Sequence, residues 1–127
     1  RGDDDVWELG GISLSWMNHH HIGLNTWQGE GVPPPPPRTS GLYHYAILLP
    51  SRLELAKVVK RLLDAGYPLE GASDHSVSEA IYLRDPDGIG VELYCDRPRD
   101  QWKYAPDGSV HMVTEALDLD ELLKELQ

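Results

Sequence analysis

The chain has 127 residues, 40% hydrophobic and 25% charged, with a formal charge of −10; this is long enough to bury one core and too short for two independent ones. The excess of carboxylates argues against nucleic acid or an anionic membrane surface as the main partner, because both demand clustered Lys and Arg. No apolar run approaches the roughly 18 residues of a membrane-spanning helix.

The opening Arg1-Gly2-Asp3-Asp4-Asp5 lacks the basic-then-apolar pattern of a signal peptide, and a start without Met is expected of a trimmed chain. Val6 to Leu9 is expected as a short strand, Gly10-Gly11 as a turn, and Ile12 to Trp16 alternates apolar and polar residues as a half-buried strand does. Asn18 is a turn residue ahead of another strand, His20 to Trp27, so this segment reads as an antiparallel hairpin or meander. The run Val32-Pro33-Pro34-Pro35-Pro36-Pro37 lacks the amide donors a sheet needs. It reads as an extended spacer, or as a ligand for an SH3 or WW module.

Leu42 to Leu49 is expected as a strand ended by Pro50, and Ser51-Arg52-Leu53-Glu54 matches a capping box that starts a helix. Leu55, Val58, Val59, Leu62 and Leu63 form its apolar face, and Gly66 is its stop. Tyr67-Pro68-Leu69 reads as a short strand, followed by strands from Ser76 to Arg84 and from Gly90 to Asp96. The turn between the last two is Asp85-Pro86-Asp87-Gly88, in which Pro presets φ and Gly accepts a left-handed conformation. The order is therefore β-α-β-β-β. Beyond it, 97–102 is expected to be irregular with Trp102 pinned on the body, and Ser109 to Thr114 extended. Asp118 caps a short amphipathic helix reaching Leu126, whose leucines dock on the body or on a second chain.

Side chains alternate along a strand, so Glu92 shares a face with Tyr94 and Asp96, opposite Val91, Leu93 and Cys95. The single cysteine, Cys95, reads as packing, and a reducing cytoplasm fits it. Glu92 is harder to assign to packing, since an ionised carboxylate is costly to bury unless paired or bound to a metal. His44, on the face of Leu42, Ala46 and Leu48, reads either as a hydrogen-bonded core residue or as a metal ligand. If the sheet curves so that its first and last strands lie side by side, His44 and Glu92 converge. They then form two legs of a 2-His-1-carboxylate site for non-haem Fe(II). The triplet His19-His20-His21 reads as exposed turn residues or as a ligand or proton shuttle, with His19 and His21 on one face and His20 on the other. Tyr82 fits core packing or a hydroxyl that reaches a ligand, His75 lies in the loop before it, and His111 reads as surface.

Four stretches together, Gly41 to Arg52, Asp74 to Leu83, Asp85-Pro86-Asp87-Gly88 and Val91-Glu92-Leu93-Tyr94, resemble the vicinal oxygen chelate superfamily. That group holds glyoxalase I, bleomycin-resistance proteins and extradiol dioxygenases; the likeness is strongest to the final module of catechol 2,3-dioxygenase-like proteins. The resemblance implies an α+β fold: a βαβββ module in a curved, cup-shaped mixed sheet, preceded by an incomplete first module and followed by a short C-terminal helix. Within one domain, 1–31 would be the partial first module, 32–40 the Pro-rich linker, 41–96 the complete module and 97–127 an extension.

By position, the resemblance makes His44 and Glu92 metal ligands, Tyr82 and His75 active-site residues around them, and His19 or His21 a third ligand or acid-base group. It implies a divalent metal, Fe(II) first and Mn(II), Ni(II) or Zn(II) otherwise, a catechol-like aromatic substrate, a homodimer and a cytoplasmic location. The activity implied is extradiol ring cleavage. The alternatives are a non-catalytic module that binds a small molecule or dimerises, and a glyoxalase-like isomerase or thiol transferase. Only 18 residues precede His19, too few for the complete first module, whose opening strand carries the other ligand histidine by the resemblance.

Overall fold

A computed structural model describes the strands Trp7–Leu9 and Ile12–Leu14 and all residues from 22 to 127. The chain divides between Tyr43 and His44 into two units. In the first, β1 (Trp7–Leu9), β2 (Ile12–Leu14) and β3 (Ile22–Leu24) form an antiparallel meander in that order, with Trp7 opposite Leu14 and Ile12 opposite Leu24. The third strand stops three residues before the expected Trp27, because the Asn25 side chain accepts from Trp27 N at 3.1 Å and turns the chain. The Gly10-Gly11 turn, Asn18 and the three consecutive histidines lie outside the described residues. The proline run is exposed and joins neither sheet; it ends where the amide and hydroxyl of Thr39 both donate to Pro36 O.

The second unit runs β4 (His44–Leu48), α1 (Arg52–Asp64), β5 (Leu69–Asp74), β6 (Ser78–Arg84), β7 (Gly90–Asp96), β8 (Glu115–Ala116) and α2 (Leu119–Leu123), which tightens into a 3-10 turn over Lys124–Leu126. The fold is α+β. Its mixed five-stranded sheet has the order β4-β7-β6-β5-β8, with β4 and β7 parallel and the other pairs antiparallel. The helix starts as the capping box dictates, Ser51 Oγ accepting from Glu54 N at 3.2 Å. It ends at Gly66, whose φ of 65° lets Tyr67 N return to Leu62 O at 2.8 Å. The β6–β7 turn closes on Gly88 at φ 83°, and Asp85 Oδ1 accepts from the amides of Asp87 and Ile89.

Three expectations shift. The strand placed at Tyr67 begins at Leu69 and runs on to Asp74, through residues that form strands poorly, because β6 pairs along it and β8 adds a partner at Ser73 and Asp74. The strand placed at Ser76 begins at Ser78: Ser76 takes φ 66°, its amide held by Asp74 Oδ1 at 2.8 Å. In place of an extended 109–114, the chain makes one bridge, Tyr104 to Val110, and then the short β8. Trp102 is pinned, Nε1 donating to Arg97 O at 2.8 Å with the Arg99 guanidinium above its ring.

The helix covers one face of the sheet. Leu55, Ala56 and Val59 bury against Ile81, Leu83, Val91, Leu93 and Cys95, and Leu122 of α2 completes the cluster. Strand alternation then dictates the rest: with Val91, Leu93 and Cys95 inward, Glu92 and Tyr94 look out of the opposite face together with His44, Ala46 and Tyr82. Burial pushes the Cys95 thiol up, as its packing role requires. Among the described residues no helix is long and apolar enough to cross a membrane.

Candidate metal centre

The parallel pairing of β4 with β7 makes the site. Its register sets His44 opposite Gly90 and Ala46 opposite Glu92, so each large polar side chain faces a residue with little or no side chain. The imidazole is therefore able to lean along the strands toward the carboxylate. His44 Nε2 stands 3.5 Å from Glu92 Oε2, with 43% and 20% of the two side chains exposed, so the pair is reachable from solvent.

On the other side of β7, Tyr82 is the direct partner of Glu92, and its hydroxyl lies 3.3 Å from Glu92 Oε1. Burial, and then the neighbouring Glu92 carboxylate, raise the Tyr82 phenol above its ordinary value, so it stays protonated at neutral pH. His75 Nε2 lies 3.0 Å from the same hydroxyl, and His75 Nδ1 lies 2.9 Å from Val113 O. His44, Glu92, Tyr82 and His75 thus form one continuous line over three strands and the β5–β6 connection. His111 is exposed and takes no part in that line. His19 and His21 fall outside the described residues.

An imidazole and a carboxylate suit Fe(II), Mn(II) or Zn(II). Two donors on one such ion, each about 2.0–2.2 Å from it, stand roughly 3 Å apart, close to the observed separation. The described residues offer these two donors and no group of three His, Cys, Asp or Glu side chains. The pair fits a metal as part of a ligand set.

One charged residue escaped the sequence reading. Glu79 is 2% exposed, on the helix face of β6. Arg52 Nε donates to its Oε2 at 2.8 Å and Arg97 to its Oε1 at 2.9 Å. Arg97 also pairs with Asp74, and Arg52 with Glu125 at 2.7 Å. The signal was present: alternation puts Glu79 on the side of Ile81 and Leu83, a carboxylate on the apolar face of its strand. Its carboxylate is fully paired on the far side of the sheet from His44, which makes it a tie between α1, β6 and the chain leaving β7.

A sequence model of the Glyoxalase/Bleomycin resistance protein/Dioxygenase superfamily matches residues 11–93. The chain belongs to this superfamily. As a member of it, the chain is 51% identical over 86 residues to a Catechol-2,3-dioxygenase of Bacillus subtilis (strain 168), a match covering 68% of this chain and 30% of the relative. It is 37% identical over 78 residues to Biphenyl-2,3-diol 1,2-dioxygenase 3 of Rhodococcus globerulus, covering 61% of this chain and 41% of that protein. The matched region thus spans well under half of either relative. No solved structure matches the superfamily member described here at a significant level.

Proposed function

We propose that this chain supplies the ligand pair and the proton-handling residues of a metal-dependent extradiol dioxygenase acting on a catechol-like aromatic diol. The observation that carries the reading is the line His44–Glu92–Tyr82–His75 on the open face of the sheet. In it His44 and Glu92 hold a divalent metal, Fe(II) first, as two members of its ligand set. When bound, such a metal supplies a Lewis-acid centre that makes the diol easier to deprotonate and brings it beside O₂. The protein's own part is positional. Tyr82, protonated and within reach of both His75 and Glu92, shares a hydrogen bond with a hydroxyl of the bound diol, and His75 behind it positions that phenol. Names of the two relatives, each a dioxygenase of an aromatic diol, support the substrate class. The chain acts as a homodimer.

Anaerobic loading with Fe(II), elemental analysis and a catechol assay for the yellow ring-opened product test this directly. Bound iron at about one per chain with turnover is the expected result. Both His44→Ala and Glu92→Ala are expected to lose the metal and keep the fold, since both side chains look out of the sheet rather than into the core; unchanged metal stoichiometry in both variants rules the site out. Metal binding with hemithioacetal turnover in place of ring cleavage would move the chain to the glyoxalase-like isomerases. Ligand binding in the metal-free chain with no ring opening after loading would instead establish a module that binds a small aromatic molecule without turning it over.

A further inference from the structure

The line of site residues is tied down at its far end by a segment outside the βαβββ unit. His75 Nδ1 lies 2.9 Å from the main-chain carbonyl of Val113, and Val113 N returns to the carbonyl of His75 at 3.4 Å. A carbonyl oxygen only accepts, so the ring nitrogen facing it carries the hydrogen. Thr114 Oγ1, 3.4 Å from the same nitrogen, has a rotatable hydroxyl and conforms to whichever form the closer carbonyl sets.

In a neutral imidazole the other nitrogen is then bare. Its neighbour is the Tyr82 hydroxyl at 3.0 Å, which has one proton and two acceptors within reach, His75 Nε2 and Glu92 Oε1 at 3.3 Å. A hydroxyl cannot donate to both. Donation to Glu92 would leave a bare Nε2 facing the phenol oxygen at 3.0 Å with no hydrogen between them, unless both His75 nitrogens are protonated.

We propose that the Val113 carbonyl fixes His75 as the Nδ1–H tautomer, and that His75 in turn draws the Tyr82 proton toward itself and away from Glu92. Tyr82 then offers oxygen lone pairs on its Glu92 side. What it asks of a bound molecule is a hydrogen-bond donor, an aromatic hydroxyl that still carries its proton. The residues after β7 thereby act as a positioning element for the centre, through main chain alone. The ligand preference rests on the reading of His44 and Glu92 as the metal pair; the tautomer does not.

The test is ¹⁵N NMR of the full chain labelled in its histidines, without metal, at about pH 8.5, where an ordinary imidazole of pKa about 6.5 is neutral. The His75 signals are identified by their loss in His75→Gln. The expected result is a protonated Nδ1 and a bare, pyridine-type Nε2 in the wild type, retained in Tyr82→Phe because Val113 rather than Tyr82 sets the form. An Nε2–H tautomer, or an imidazole still doubly protonated at that pH, overturns the proposal. So does a switch to Nε2–H in Tyr82→Phe, which would make the phenol the determinant. No metal enters the measurement, so its failure leaves the metal pair standing, and failure of metal binding leaves the tautomer standing.

Discussion

Glu79 carries the largest single-residue consequence for stability, because it is buried while the two guanidiniums it holds are about a quarter exposed. Breaking a buried ion pair from one side typically costs about 3–5 kcal/mol. Part of that is recovered here by hydration of Arg52 and Arg97, so Glu79→Ala is expected near the lower end, read as a lower urea midpoint at an unchanged denaturant slope. Asp74 gives the pH dependence. Burial opposes its ionisation, but the Ser76 amide and the Arg97 guanidinium outweigh burial and hold the carboxyl below the usual carboxylate range. A carboxyl depressed in the native state adds stability that is fully present above its unfolded value of about 3.9 and is lost as pH falls through the native value. Asp74→Asn should therefore flatten the acid limb of a plot of Tm against pH; an acid limb as steep as the wild type's would show that this pair contributes nothing. At this scale the sequence was informative where a carboxylate stood in the middle of an otherwise apolar strand, as Glu92 does. It was uninformative about partners: nothing along the chain links Glu79 to Arg52 and Arg97, or His75 to Val113, because those contacts come from the strand order.

Among the elements, α1 and the β6–β7 hairpin were legible because their signals are local. A capping box, a 3.6-residue stripe, a glycine stop and an Asp-Pro-Asp-Gly turn each act within a few residues. β5 was legible only in part, since Glu70-Gly71-Ala72-Ser73 is a strand mainly through its pairing with β6, and β8 is two residues long. The C-terminal helix docks on the body, as one of the two expectations for its leucines had it: Leu122 is fully buried with α1, and Glu125 reaches Arg52. Leu122→Ala should cost about 2–5 kcal/mol, as buried Leu truncations do. Loss of the Ser51 cap in Ser51→Ala should cost about 1 kcal/mol. The contrast between the two in one denaturation series checks whether α2 is integral to the core or an appendage; equal small effects would make it an appendage.

For the molecule as a whole, superfamily membership accounts for the arrangement that no local pattern forces, the parallel contact between the first and last strands of the βαβββ unit. The homodimer proposed above would give twice the chain's own mass by light scattering, before and after metal loading; a single chain's mass in both states would exclude it. The strand order also sets the timing of the site. Glu92 belongs to β7, which lies between β4 and β6 although it is the last of the three to be synthesised. The imidazole of His44 therefore waits, through nearly fifty residues of translation, for the strand that brings its carboxylate counterpart. During that interval the proposed ligand pair does not exist, so any capture of an ion by it is deferred until β7 has joined the sheet.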